Sequence, residues 1–200
     1  MEQEKILIQK NITTQDEILR AALNLFVHKG YFNTSLTEIA HAAQLSKTQE
    51  IYLYFDCKQQ LATELYNSIV DSLSVSIDEI RRRNKKASEQ LHSLVDLLFK
   101  LTDEAPEALR FLFEINSSEF LSPDAKPYLQ TPAVNKMLKM IQLGINNGEI
   151  RSLAPMLIYS YFFGIINTAL QLILNGTLDK KTESYQSQVW LVAWNAIVKK

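Results

Sequence analysis

Cysteine, glycine and proline are all scarce in this sequence, and neither sign of charge is in surplus. Its 200 residues hold one cysteine, Cys57, so no internal disulfide and no cysteine-based zinc site can form within the chain. A lone thiol suits a reducing compartment, and a cytoplasmic location is expected. Five glycines and five prolines are few for an all-β or low-complexity chain. His28, His41 and His92 lack HExxH-type spacing, and no glycine-rich phosphate loop or nucleophile elbow occurs. An enzyme is therefore not expected, nor is a metal or cofactor. Net charge is −1. Within residues 1–58, Lys5, Lys10, Arg20, Lys29, Lys47 and Lys58 face seven carboxylates. Phosphate affinity comes from positive charge, so any nucleic-acid contact must rest on local placement.

Residues 1–10 carry only the short apolar run Ile6–Ile8, and no signal-peptide pattern is visible. The segment from Ser152 to Leu178 has no Asp, Glu, Lys or Arg, and its length could span a bilayer. Pro155, Asn167, Thr168, Gln171 and Asn175 interrupt its apolar character, so it reads as a buried core or interface helix and no membrane partner is expected.

What is present is helical periodicity, with 46% hydrophobic residues to build a core. The pattern predicts an all-α fold. Thr14 and Glu17 form a capping-box pattern before the apolar face Ile18, Leu19, Ala22, Leu25 and Phe26, and Gly30 marks a stop. Ser35-Leu-Thr-Glu38 opens a short helix carrying Leu36, Ile39, Ala40 and Ala43. Ser46-Lys-Thr-Gln49 opens another with Ile51, Tyr52, Tyr54 and Phe55, and only Gln44 and Leu45 separate the two. Two short helices joined tightly after a supporting helix make a helix-turn-helix.

A longer helix is predicted over 58–83, with the stripe Leu61, Leu65, Ile69, Leu73, Ile77 and Ile80. Its end, Arg81-Arg-Arg-Asn-Lys-Lys86, reads as a solvated linker, with a backbone or partner contact as the other reading. Further helices are expected over 91–101, 106–115, 134–145, 154–174 and 184–198. Ser122 to Pro132, with three prolines, reads as a loop or broken helix.

Ile18-Leu-x-Ala-Ala22-x-x-Leu25-Phe26, Gly30-Tyr31, Thr34-Ser35, Glu38-Ile39-Ala40, Ala43, Ser46-Lys47 and Ile51-Tyr52-x-Tyr54-Phe55-x-x-Lys58-x-x-Leu61 together resemble the N-terminal signature of the tetracycline-repressor (TetR) family. The resemblance implies a helix-turn-helix DNA-binding domain over 1–57. A helical regulatory domain over 58–200 follows, with 58–83 as connector. The implied activity is a ligand-responsive regulator, most often a repressor, acting as a homodimer on double-stranded palindromic operator DNA and released by a small-molecule effector. The alternative is a helical ligand-binding or interaction protein whose DNA binding has degenerated.

Candidate DNA contacts are Thr34, Ser46, Lys47, Thr48, Gln49, Tyr52, Tyr54 and Lys58. Gln reads adenine and Lys donates to guanine, while Thr can meet a thymine methyl and Glu50 can accept from cytosine. Lys58 resembles the family's phosphate-contacting lysine. Three departures stand out. Gln44 replaces the usual turn glycine, so it is expected in a left-handed conformation. The stretch from Ser46 to Ile51 is one residue longer than usual, which blocks one-to-one transfer of base contacts. Cys57 stands where a small polar residue is common.

In the regulatory half, Leu143-x-x-Asn-Asn-Gly148-Glu-Ile-Arg151 looks like the turn that precedes the family's dimer helices. Candidate dimer residues are Ser160, Gly164 and Thr168 at four-residue spacing, with Trp190, Ala193, Trp194 and Ile197 on the last helix. Both stripes could instead belong to a monomer core. Candidate effector-lining residues are Phe99, Phe111, Phe113, Met137, Met140, Tyr161, Phe162 and Asn167, an apolar set with a few polar groups.

Overall fold

In the computed structural model, which describes residues 2–122, 127–178 and 182–200, the capping signals and apolar stripes become helices. These are α1 (Glu2–Lys29), α2 (Leu36–Ala42), a 3-10 helix (Thr48–Leu53), α3 (Lys58–Arg83), α4 (Ala87–Glu104), α5 (Pro106–Phe113), α6 (Pro132–Asn146), α7 (Pro155–Leu174) and α8 (Thr182–Ile197). No strand occurs among the described residues; an isolated antiparallel bridge joins Ile150 to Val198. Part of the Ser122–Pro132 loop, Pro123 included, lies outside the described residues.

The chain forms two compact units. One comprises Met1–Ile69 with Arg110–Ala125, the other Val70–Leu109 with Lys126–Lys200. The border falls inside α3 rather than at the expected 57/58. A helix cap marks where a helix starts, not where a core ends. The first turns of α3 belong with the helix-turn-helix: Leu61, Ala62, Leu65 and Tyr66 are buried. Gln15 donates to Glu64 at 2.8 Å.

In the first unit, Ile18, Ala22 and Phe26 form the inward face of α1 and are fully buried. The helix starts at Glu2 and runs through Thr14, so the cap pattern at Thr14 does not begin it. An aromatic cluster fills this unit. Phe26 stacks on Phe111 at 6.2 Å and Phe111 on Phe120 at 5.6 Å, while Phe120 meets Tyr31 at 5.7 Å and Tyr66 at 6.0 Å. The segment after α5 is thus part of the core that supports the helix-turn-helix.

In the second unit the Leu143–Arg151 motif ties three helices together. A Cβ on Gly144 would lie 2.5 Å from Ile150 Cδ1 and 2.9 Å from Ala87 Cβ, so only glycine allows this approach. Glu149 reaches across to the start of α4. It accepts from Ala87 N at 3.1 Å and from Ser88 N at 3.0 Å, and the Ser88 hydroxyl donates to it at 2.7 Å. The carboxylate satisfies N–H groups that a helix start leaves open. Burial raises its pKa, but the bonds from Ser88 and Ala87 and from Asn147 bring it below its ordinary value. Beyond it, Arg151 N donates to Ile197 O and Lys199 N to Glu149 O, both at 3.0 Å, which holds the end of α8.

Candidate nucleic-acid interface

The interface begins with how α2 starts and stops. Ser35 Oγ accepts from Glu38 N at 3.2 Å, and Glu38 Oε2 accepts from Ser35 N at 2.9 Å. The expected capping box is present. Lys29 also pairs with Glu38. That bond, followed by those from the Ser35 N–H and hydroxyl, holds the Glu38 carboxyl down at about 2. Lys29 is thereby neutralised and adds little positive field to this face.

At its other end α2 closes with a Schellman motif. Leu45 N donates to Ala40 O at 2.9 Å and Gln44 N to His41 O at 3.1 Å. Gln44 has φ +58°, the left-handed conformation that its place in the turn demands. The bond pattern requires it, and a side chain there costs roughly 1–2 kcal/mol relative to glycine.

The recognition element differs from the sequence expectation. It begins at Thr48 rather than Ser46, and it winds as a 3-10 helix to Leu53. Its opening bond runs from Lys47 N to Glu50 Oε1 at 2.9 Å, one residue later than the Ser46–Gln49 pattern. Ser46 and Lys47 thus stand before the helix, with Lys47 as its cap. In a 3-10 helix residues three apart share a face. Ile51, fully buried, and Phe55, 1% exposed, anchor the element. Ser46, Lys47, Gln49, Tyr52 and Leu53 face solvent, and Thr48, Glu50 and Tyr54 are half-buried.

Tyr52 is 54% exposed, so it is free of the core role that its aromatic ring allowed. Leu53, at 77% exposure, is a surface residue that the motif leaves as a blank. A signal for it was present: it lies two residues from both anchors, Ile51 and Phe55, and so on the opposite side. Phe32 is similarly exposed, at 72%.

Two expected contacts are drawn inward. Thr34 is 1% exposed, and its hydroxyl donates to Gly30 O at 2.9 Å. Its side chain is corrected from a DNA contact to a brace, because the chain between α1 and α2 leaves carbonyls that need donors. Lys58 Nζ donates to Tyr31 O at 3.0 Å and to Thr34 O at 2.9 Å, and sits 4.4 Å from the Tyr31 ring centroid. Two of its three N–H groups clamp the start of α3 to that connection, which leaves one for a phosphate. Cys57 takes the cap position before α3: Gln60 N donates to its sulfur at 3.4 Å. A thiol there does weakly what a small polar side chain does well.

The regulatory candidates divide between the units. Phe111 and Phe113 belong to the first unit, and Phe111 is corrected from pocket to core by its stacking on Phe26 and Phe120. Phe99, Met137, Met140 and Phe162 are each buried in the second unit, at most 1% exposed, and Asn167 is half-buried. Tyr161, 44% exposed, instead shares the outer face of α7 with Ser160, Gly164 and Thr168.

On that face Ser160 Oγ donates to Leu157 O at 2.8 Å and Thr168 Oγ1 to Gly164 O at 2.9 Å. The hydroxyls are turned to their own helix and the stripe presents mostly carbon. On α8, Ala193 and Ile197 are fully buried and are corrected to protomer core. Gln188, Leu191, Val192 and Asn195 are exposed instead. Trp190 and Trp194, half-buried, stack at 5.4 Å, and Trp190 meets Phe162 edge-on at 5.9 Å. The apolar length of α7, Pro155–Leu174, is long enough to cross a membrane, but half of its most apolar window is buried within the protein. Among the described residues no cluster of three or more His, Cys, Asp or Glu could hold a metal.

Comparison with known proteins agrees over nearly the whole chain. Residues 18–65 match the family "bacterial regulatory proteins, tetR family", and residues 66–199 match "tetracyclin repressor-like, C-terminal domain". The chain is 27% identical over 173 residues to the HTH-type transcriptional regulator YfiR of Bacillus subtilis strain 168, covering 78% of this chain and 80% of that protein. Its fold is similar to that of a TetR family transcription regulator from Marinobacter aquaeolei VT8, with TM-score 0.82, 23% identity, and coverage of 96% and 99% of the two chains. It is also similar to FadR of Bacillus subtilis in complex with stearoyl-CoA, with TM-score 0.74, 20% identity, and coverage of 90% and 98%. A tight helix-turn-helix with an exposed leading end, joined to a helical unit and matched by both family profiles, places this chain in the tetR family of bacterial regulatory proteins, which are ligand-responsive DNA-binding transcription regulators.

Proposed function

We propose that this cytoplasmic protein is a repressor that binds a palindromic operator as a homodimer and releases it when a small, largely apolar effector binds. The carrying observation is the recognition tip. Ile51 and Phe55 pin it from beneath, while Ser46, Lys47, Gln49, Tyr52 and Leu53 face solvent. Gln49 and Lys47 are the base-reading pair, with Leu53 suited to a thymine methyl. Tyr52 and Tyr54 supply hydroxyls for the backbone, and the half-buried Thr48 lies beside them.

Selection from random duplex DNA with the full chain tests this reading. An enriched palindrome is expected, and Gln49→Ala should weaken binding by about 1–3 kcal/mol and relax one base position in each half-site. Absence of enrichment would leave the interaction-protein reading. Lys29 is paired and Lys58 largely used internally. The log K against log salt slope should therefore be shallow.

The exposed stripe Ser160, Tyr161, Gly164 and Thr168, with Leu191 and Val192 beside Trp190 and Trp194, is the proposed dimer face. A Cβ on Gly164 would meet nothing within 4 Å in the protomer. Gly164→Arg should therefore leave the protomer folded and abolish the dimer in sedimentation. For the effector, the buried set Phe99, Met137, Met140 and Phe162 supports a ligand with an apolar part, and the acyl chain of the stearoyl-CoA bound to FadR is such a part. Saturating effector should weaken operator binding without dissociating the dimer.

A further inference from the structure

Among the described residues the two most exposed large apolar side chains, Leu53 at 77% and Phe32 at 72%, both lie in the DNA-facing unit. Leu53 belongs to the proposed base-reading tip. Phe32, in the connection between α1 and α2, has no role in that reading. A single exposed aromatic carries little meaning by itself. What singles out Phe32 is its neighbour. Its ring centroid lies 5.4 Å from that of Tyr31, with the planes edge-on at 68°. Lys58 Nζ sits 4.4 Å from the centroid of the same Tyr31 ring. Tyr31 is itself buried. One fixed ring thus has both an exposed apolar side chain and an ammonium as neighbours.

Lys58 gives two of its N–H groups to Tyr31 O and Thr34 O and keeps the third. It opens α3 directly after the recognition element, so this spot continues the interface already described. The charge here is modest. Lys29 is paired with Glu38. Burial, and after it the nearby Cys57 and Glu119, hold the Tyr31 hydroxyl above its ordinary pKa. With little positive field to attract a polyanion, an apolar contact beside the lone ammonium carries more weight. The backbone of DNA supplies the complement. Each nucleotide presents an anionic phosphate next to a deoxyribose whose C–H groups are apolar, and contacts to both fix a protein's register on the duplex.

We propose that Phe32 is a DNA-backbone contact, its ring packing on the deoxyribose next to the phosphate that the free Lys58 N–H meets. The inference rests on the DNA-binding reading of this unit but not on a particular operator, because a sugar contact is independent of sequence. The probe is therefore a fluorescent pool of random-sequence duplex DNA, titrated with the full chain in fluorescence anisotropy at several salt concentrations. Phe32→Ser should weaken binding at least about fivefold at every salt concentration, from lost apolar burial. The slope of log K against log salt should stay that of wild type, since no cation is removed. Phe32→Trp, which keeps a large ring, should restore affinity to within about twofold of wild type. The circular dichroism melt of Phe32→Ser should match wild type, because the side chain is exposed. A purely structural role would lower the melt instead. No binding of wild type below ~100 µM, an unchanged affinity for Phe32→Ser, or a loss that Phe32→Trp leaves uncorrected would overturn the proposal. So would unchanged DNA affinity with an altered sedimentation of Phe32→Ser, which would make this face a contact with another protein copy. A failed operator selection, by contrast, would sink the repressor reading while the random-duplex result still stood.

Discussion

The helix stops after α2 and after α6 share one hydrogen-bond pattern and differ in one residue. After α6, Glu149 N donates to Gly144 O and Gly148 N to Ile145 O, with Gly148 at φ +74°. After α2 the same two bonds form around Gln44 at φ +58°. Backbone hydrogen bonding dictates the geometry in both, and the residue sets only its cost. The two units differ in a second way. In the DNA-facing unit the polar contacts that open its two short helices are local: Ser35 with Glu38, and Lys47 with Glu50. In the regulatory unit they span the chain. Glu149 holds Ser88, and Lys136 donates to Ser74 Oγ at 2.6 Å.

Phe120→Ala strikes the main long-range element of the DNA-facing unit and should have the largest effect. Its ring touches Tyr31, Tyr66 and Phe111. Loss of a buried phenyl should cost about 3–5 kcal/mol in denaturant unfolding. A loss under about 1 kcal/mol would mean that local wiring alone sustains the unit.

Gly144→Ala comes next. The new methyl would collide with Ala87 Cβ at 2.9 Å, which cannot rotate away, so overpacking of about 1–3 kcal/mol is expected. Gly164→Ala, which enters open space in the interior of α7, is the matched control and should stabilise the protomer by about 0.5–1 kcal/mol through helix propensity alone.

Exchanging the residues at the two stops is a smaller change that bears directly on the comparison. Gln44→Gly should raise stability by about 1 kcal/mol, and Gly148→Gln should lower it by a similar amount. If Gln44→Gly is neutral or destabilising, the Gln44 side chain makes a compensating contact.

The smallest effect is acid sensitivity. The Glu38 carboxyl is lowered to about 2 by Lys29 and Ser35. A depressed carboxylate contributes stability above its ordinary value near 4.5, and that contribution disappears as pH falls toward about 2. Wild type should therefore lose stability more steeply than Glu38→Gln across that window. Glu149, lowered as well, adds a parallel loss in the regulatory unit.

Much of the fold was legible because its signals are local. The span of α3, the Ser35–Glu38 box, the glycine stops and the strained backbone at Gln44 all follow from residues within a few positions of one another. The cap of the recognition element lies one residue later than the Ser46–Gln49 pattern because Ser46–Gln49 and Lys47–Glu50 are competing caps, and sequence spacing cannot rank them. Packing chose the later one, since it sets Ile51 and Phe55 inward.

By itself, then, the sequence determined that the chain is helical, where most helices begin and end, and that a helix-turn-helix leads it. Tertiary structure alone decided which faces are outward. It buried Ala193 and Ile197, exposed Leu53 and Leu191, gave Phe111 to the DNA-facing core, made Thr34 a brace, and engaged two of the three Lys58 N–H groups internally. The reason is physical. Helix formation and capping are settled between residues three to five apart, whereas a side chain's burial depends on a partner that only the folded chain brings to it.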